Sequence, residues 1–126
     1  MKEPIHTDAA PKALGPYSQA IATEEFLFCS GQGAIDPETN QLTGGDIAVQ
    51  TERTLKNLGA VLEAAGLDFG DVVKTLCFLR DMDDFKAFNE VYARFFSEPY
   101  PARSTIQAAR LPMDIAVEIE VIAKRR

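Results

Sequence analysis

Two charged residues toward the C-terminal end of the chain, Arg103 and Glu118, form the pair best suited to chemistry. A guanidinium can grip a carboxylate through two parallel charge-assisted hydrogen bonds in a fixed orientation, which an ammonium cannot reproduce. A carboxylate held nearby can place a water molecule and carry a proton. Together they would suit a small substrate that bears a carboxylate and is attacked by water. Other chemistry is poorly supplied. His6 is the lone histidine, in the N-terminal segment, and Cys29 and Cys77 each sit inside an apolar run, where a free thiol behaves as a small buried hydrophobe. Two cysteines and one histidine cannot complete a closed zinc site of thiolate and imidazole ligands. No metal site is expected, although one built from carboxylates stays open.

The elements that must position this pair can be read from periodicity. Tyr17 to Ala22 and Glu25 to Ser30 read as two strands around Thr23-Glu24, with Gly31-Gln32-Gly33 ending the second. Asp46 to Ala65 carries Ile47, Leu55, Leu58, Leu62 and Ala65 at helical spacing, and Gly66 stands where a C-terminal glycine cap belongs. Val72 to Leu79 reads as a strand. Asp83 or Asp84 can cap a second helix with a buried stripe of Phe85, Phe88, Tyr92, Phe95 and Phe96, closed by Pro99 and Pro101. Ser104 to Ala109 and Ile115 to Ala123 are the last two strands. The order ββαβαββ suggests an α+β layer with both helices on one face of a mixed sheet.

Two further expectations follow. Phe26-Leu27-Phe28-Cys29 is apolar on both sides, whereas a strand with one face in water should alternate, so a partner subunit is expected over part of the second face. If the last two strands form a tight hairpin with Ile106 and Ala108 turned toward Val117, Ile119 and Val121, strand parity puts Arg103, Thr105 and Gln107 on one face with Glu118 and Glu120. The guanidinium should then hold Glu118 ionised. An exposed ion pair of small energetic consequence is the alternative, and pattern alone favours it.

The whole chain narrows the function. Its 126 residues suit a single domain spanning 1–126, and 46% hydrophobic with 25% charged residues is ordinary for a folded soluble protein. A net charge of −6 disfavours a phosphate backbone as partner, and Lys124-Arg125-Arg126 reads as a solvated tail. No run approaches the roughly 20 apolar residues that span a bilayer, and Met1 to His6 does not resemble a signal peptide, so no membrane and a cytoplasmic location are expected.

Several blocks in order carry a resemblance. Pro101-Ala102-Arg103-Ser104-Thr105-Ile106, Arg110-Leu111-Pro112 and Val117-Glu118-Ile119-Glu120 resemble the signature of the Rid (reactive intermediate deaminase) family. Gly15-Pro16-Tyr17-Ser18-Gln19-Ala20, Ser30-Gly31-Gln32, Glu63-Ala64-Ala65-Gly66-Leu67 and Asp84-Phe85 with Asn89 match as well. The resemblance implies a chorismate-mutase-like fold assembling as a homotrimer around a central β-barrel, with sites in clefts between subunits. It implies cofactor-free hydrolysis of enamines and imines such as 2-aminoacrylate, 2-iminopropanoate and 2-iminobutanoate to 2-keto acids and ammonia.

In that setting Arg103 marks the deaminating subgroup as carboxylate anchor, and Glu118 positions water. Tyr17 would donate its hydroxyl, Ser30 and the Gly31 amide would bind a carboxylate oxygen, and Asn89 and Thr105 would touch substrate. Each has a plainer alternative: core packing for Tyr17, a self-satisfied turn for Ser30, and a backbone hydrogen bond for Asn89. Thr105 stands where many relatives carry cysteine, so a thiol role there cannot apply. Glu120 reads as structural or solvent-facing. A non-enzymatic trimer that binds a small carboxylate, as a regulator or chaperone-like module, is the rival reading.

Overall fold

The computed structural model describes residues 1–126 and contains six strands and two α-helices. The strands are β1 (Glu3–Ile5), β2 (Ala20–Ala22), β3 (Phe26–Gln32), β4 (Val72–Leu79), β5 (Ala102–Gln107) and β6 (Val117–Lys124). The helices are α1 (Ile47–Ala64) and α2 (Phe85–Phe95). The sheet order is β1-β2-β3-β6-β4-β5, antiparallel throughout except for the parallel pair β4–β5. Both helices cover one face, as expected for this α+β class.

The first helix forms where its sequence places it. Asp46 Oδ1 accepts from the Val49 amide at 3.0 Å, satisfying one of the otherwise unpaired donors of the first turn. At the other end Gly66 takes φ +76°, and the Gly66 and Leu67 amides reach back to the carbonyls of Glu63 and Leu62 at 2.9 Å each, a Schellman closure. Leu55, Leu58, Val61 and Leu62 are fully buried against the sheet. The second helix buries Phe88, Val91, Tyr92 and the following Phe96, with Tyr92 and Phe96 stacked at 4.4 Å between centroids. Its cap differs from expectation. Asp84 makes no side-chain capping bond, while Asp81 accepts from the Asp83 amide at 2.9 Å in the 3₁₀ turn that leads in.

The expected hairpin between the last two strands does not form. Instead β5 pairs with β4 in parallel, Thr75 opposite Arg103 and Cys77 opposite Thr105. Parallel strands need a crossover, and α2 supplies it. The chain then passes beyond β4 and inserts β6 between β3 and β4, where Phe78 faces Glu118 and Leu76 faces Glu120. Partners across a sheet share a face, so parity is the reverse of that expected. Arg103, Thr105 and Gln107 lie on the helix-covered face with Thr75, Cys77, Leu79, Val117, Ile119 and Val121. Glu118 and Glu120 lie on the other face, beside Phe78, Leu76, Ser104 and Ile106.

Smaller differences follow from side-chain partners. The expected first strand shrinks to Ala20–Ala22, leaving Tyr17 in a loop, and β1 adds an edge that pattern did not disclose. The basic C-terminus is not a free tail: Arg126 pairs with Asp71 at 2.9 Å and Asp68 at 3.2 Å, and Arg125 donates to the Thr23 carbonyl. The uncovered sheet face carries Phe28 and Ile106, 44% and 48% exposed, with Leu76, Phe78 and Ile122 half-buried around them. An apolar face of this kind accords with the twice-apolar sequence of β3 and with a partner laid over it.

Candidate active site

The candidate side chains fall into two groups, one on each side of the sheet. On the helix side, Arg103 projects from the edge strand β5 toward α2. Its guanidinium carbon lies 4.7 Å from the ring centroid of Tyr92, 5.5 Å from Phe85 and 5.8 Å from Phe88. Aromatic faces attract and orient a guanidinium without using its N–H groups. Nη1 donates to Asn89 Oδ1 at 2.8 Å, and no acidic side chain stands within ion-pair distance of Arg103. Of the five N–H donors of a guanidinium, this neutral amide takes one. The head group is fixed in orientation and its charge is unpaired within the chain.

Three details complete this half. Asn89 is half-buried and bonds Arg103, not the nearby backbone of its plainer reading. Tyr92 is braced by a 2.9 Å bond between its hydroxyl and Thr75 Oγ1. Thr105 Oγ1, on the face of Arg103, is buried with no hydrogen-bond partner, an uncompensated cost unless a further group meets it. Beneath it the Cys77 thiol is pushed up to about 11 by burial, so it is an inert thiol at neutral pH.

On the opposite side, Tyr17, Ser30, Gly31 and Glu118 line one cavity of about 580 Å³. A bulge in the β3–β6 pairing between Cys29 and Gln32 turns Gly31 toward Glu118. A methyl group built on Gly31 would stand 2.7 Å from Glu118 Oε2, so the carboxylate occupies the space that only glycine leaves. Ser30 Oγ donates to the Ser18 carbonyl at 2.6 Å and its amide to the Gln19 carbonyl at 2.9 Å, which ties the serine to the Tyr17 loop and not to its own turn. Tyr17 is 52% exposed, which excludes the core-packing alternative.

Glu118 departs from expectation. With no guanidinium beside it in the chain, burial first and the charge of Glu120 second hold its carboxyl above the usual carboxylate range. It is therefore a stronger base than an ordinary exposed glutamate. Glu120, two residues along the same face, acts here as a neighbouring negative charge.

Sequence reasoning joined Arg103 and Glu118 on one face, and the strand pairing separates them. It also missed the rings of Phe85, Phe88 and Tyr92 as the seat of the guanidinium, having read that stripe as core alone. The available signal was the strand–helix–strand spacing across Val72 to Gln107, which calls for a parallel crossover and so places β5 over α2. Gln19 was missed likewise. It is 3% exposed, accepts from the Thr7 amide at 2.7 Å and donates to the Pro11 carbonyl at 2.8 Å, holding the segment that walls the cavity. No trio of His, Cys, Asp or Glu side chains is arranged to hold a metal ion, and no helix is long and apolar enough to cross a membrane.

These features define a small α+β protein with a ring-seated guanidinium on one sheet face and a cavity lined by a carboxylate on the other. A profile of the family described as Endoribonuclease L-PSP matches residues 7–125. The chain belongs to that family, the Rid family of the sequence resemblance. A RutC family protein of Pyrococcus horikoshii is 52% identical over 98% of this chain and 98% of its own. The 2-iminobutanoate/2-iminopropanoate deaminase of Mus musculus is 46% identical over 98% of this chain and 91% of its own. Among solved structures, E. coli TdcF with bound serine superposes with TM-score 0.93 at 42% identity, covering 98% of this chain and 99% of that one.

Proposed function

We propose that the protein hydrolyses reactive 2-imino acids and their enamine tautomers, 2-iminopropanoate, 2-aminoacrylate and 2-iminobutanoate among them, to 2-keto acids and ammonia, in a site shared between subunits of a homo-oligomer. The observation that carries this reading is the Arg103 guanidinium, oriented by three rings and one neutral amide, with its charge uncompensated within the chain. The names of the mouse relative and of the serine-bound neighbour support the substrate class, since both concern small amino-acid-like carboxylates. Because Arg103 and Glu118 occupy opposite faces of one sheet, their joint action on one ligand requires two chains.

In this site Arg103 of one subunit binds the substrate carboxylate through two parallel bonds. Thr105 Oγ1 has a free hydrogen-bonding capacity beside it. Glu118 of the neighbouring subunit takes a proton from water as the oxygen adds to C2, and the imine nitrogen gains a proton from solvent, giving a carbinolamine. Glu118 then returns its proton to that nitrogen while the hydroxyl proton passes to solvent, the C–N bond breaks and ammonia departs. An enamine first takes a proton from solvent at C3 and releases one from its nitrogen to become the imine. The electrophile is already activated, so orientation and one positioned base are enough.

The test couples the protein to a threonine or serine dehydratase and follows keto-acid formation above the spontaneous rate. Wild type accelerates it. Arg103→Ala abolishes the acceleration and Arg103→Lys restores little, because an ammonium lacks the planar fork. Tight binding of 2-ketobutyrate with no acceleration at any protein concentration would favour the carboxylate-sensing alternative.

A further inference from the structure

Two amide side chains, Gln50 and Asn57, are buried on α1 among Leu55, Leu58 and Leu62. Asn57 is 0% exposed, and its Nδ2 donates to the Gly33 carbonyl at 3.0 Å and to the Ile35 carbonyl at 2.9 Å. Its Oδ1 accepts from Arg53 Nε at 3.1 Å. A guanidinium can only donate, so Arg53 fixes which end of the amide faces the two carbonyls. Gln50 accepts through Oε1 from the Ala116 amide at 2.9 Å and donates through Nε2 to the Gly45 carbonyl at 2.9 Å. Two helical turns apart, the amides stand on one side of α1, separated by about 10 Å along its axis.

Their bonds end where the sheet ladder gives out. Gly33 follows directly on β3, two residues beyond Gly31, and β3 loses its regular pairing with β6 between Cys29 and Gln32. Ala116 directly precedes β6, two residues before Glu118, and its carbonyl accepts from the Arg80 amide at 3.0 Å. The two tethered ends also meet each other. A methyl built on Gly33 would stand 2.5 Å from Ile115 Cδ1, so these residues pack directly, and both line the cavity with Gly31 and Glu118. The seat of the Glu118 carboxylate against Gly31 therefore depends on how the end of β3 is set against the start of β6. Packing alone would favour an apolar side chain at either helix position, since a buried amide must match every polar group it meets.

We infer that Asn57 and Gln50 are positioning residues for Glu118, holding the end of β3 and the start of β6 at the spacing that seats its carboxylate on Gly31. The inference rests on the deaminase reading above, in which Glu118 is the base. Neither amide lines the cavity, so both act through the backbone they hold. The carboxylate anchor, Arg103, stands on β5, which neither amide bonds. Turnover and substrate capture are thereby separated: loosening the two tethers lowers kcat and leaves KM to Arg103.

The experiment supplies 2-iminobutanoate from threonine dehydratase and compares wild type, Asn57→Ala, Gln50→Met and Leu58→Ala, with rates referred to folded protein. Leu58, fully buried beside Asn57, has no side-chain bond to either strand end and reports the effect of a weakened α1 alone. The expected result is a loss in kcat of about tenfold or more in Asn57→Ala and Gln50→Met, with KM changed by less than about twofold, while Leu58→Ala keeps the wild-type kcat. In a Gly31→Ala background, where the seat is already displaced, the same two changes cost less than about a further twofold, because residues that act through one contact are not additive. A kcat loss no greater than that of Leu58→Ala, a rise in KM alone, or full additivity with Gly31→Ala would overturn the positioning role. If Asn57→Ala does not fold, Gln50→Met, which keeps the length of the side chain, decides by the same criteria. Failure of wild type to accelerate keto-acid release would instead overturn the deaminase reading itself.

Discussion

If Arg103 and Glu118 act on one substrate from two chains, two inactive variants must rescue each other when mixed. Within one chain Arg103 lies opposite Thr75 of β4, while Glu118 lies opposite Phe78 on the other side of β4 and on the other face of the sheet. No rotamer carries either head group through a packed sheet, so a single chain cannot complete the site. Arg103→Ala and Glu118→Gln are each expected to be inactive. In an assembly formed at random from equal amounts of both, a site works only when its arginine comes from the Glu118→Gln chain and its glutamate from the Arg103→Ala chain. Each condition holds half the time, so about a quarter of sites are restored, whatever the number of subunits in the closed ring. Folding does not confound the measurement. The Glu118 carboxyl is raised above its usual range, so its protonated form is favoured by the fold, and its stabilising contribution declines as pH rises through the folded pKa. A neutral amide there is at least as stable near pH 7. The variants are denatured together, refolded and assayed for keto-acid release, alongside wild type mixed with the double variant. That control also gives about a quarter of wild-type activity if sites are shared and about half if each chain carries its own. Co-refolded activity no greater than the sum of the two variants, with the control at one half, would refute the divided site.

Three other outcomes follow from the same geometry. Gly31→Ala places a methyl 2.7 Å from Glu118 Oε2 and displaces the carboxylate, so kcat should fall about a hundredfold, as misplacements near 1 Å do, with little change in melting temperature; unchanged kcat would mean that Glu118 has no role. Within one chain burial and Glu120 raise the Glu118 carboxyl, so Glu120→Gln, by removing the like charge, should move the acid limb of enzymatic kcat/KM to lower pH. An unmoved limb would separate the acid-side titration from this pair. Leu58→Ala, at a fully buried position on α1, should cost about 2–5 kcal/mol in chemical denaturation while leaving kcat of the folded fraction unchanged.

The elements were largely legible because their signals are local. The Asp46 cap, the apolar stripe of α1 and the left-handed Gly66 all lie within the helix they define, and the aromatic stripe from Phe85 to Phe96 marks α2 in the same way. Pairing was not legible, because it depends on which strand lies next to which. Two strands consecutive in sequence suggested a hairpin, but α2 returns the chain parallel to β4, and β6 then enters between β3 and β4. The apolar residues of β5 misled in a specific way. Ile106 was assigned to the core and lies on the open face at 48% exposure, while Arg103 points under the helix. An arginine can occupy that covered face only because the strand is an edge and the rings of α2 provide a surface for a guanidinium.

Placing the two charges on opposite faces has a chemical consequence that a hairpin would have forbidden. Side by side on one strand pair, Arg103 and Glu118 would neutralise each other, depress the glutamate's pKa and fill the guanidinium's donors before any substrate arrived. Segregated by β4, within one chain Arg103 keeps its donors and Glu118 keeps a raised pKa. On the proposed reading the two meet only in the assembled protein, where two rigid sheets set their separation and a substrate carboxylate and water occupy the gap in place of a direct ion pair. The Asn89 amide and the α2 rings fix the guanidinium's direction without spending its charge, and the Gly31 bulge does the corresponding work for the carboxylate. Arg103→Glu with Glu118→Arg, which exchanges the charges and keeps their number, should therefore fail to restore activity. The aromatic seat cannot orient a carboxylate, and the space beside Gly31 cannot hold a guanidinium.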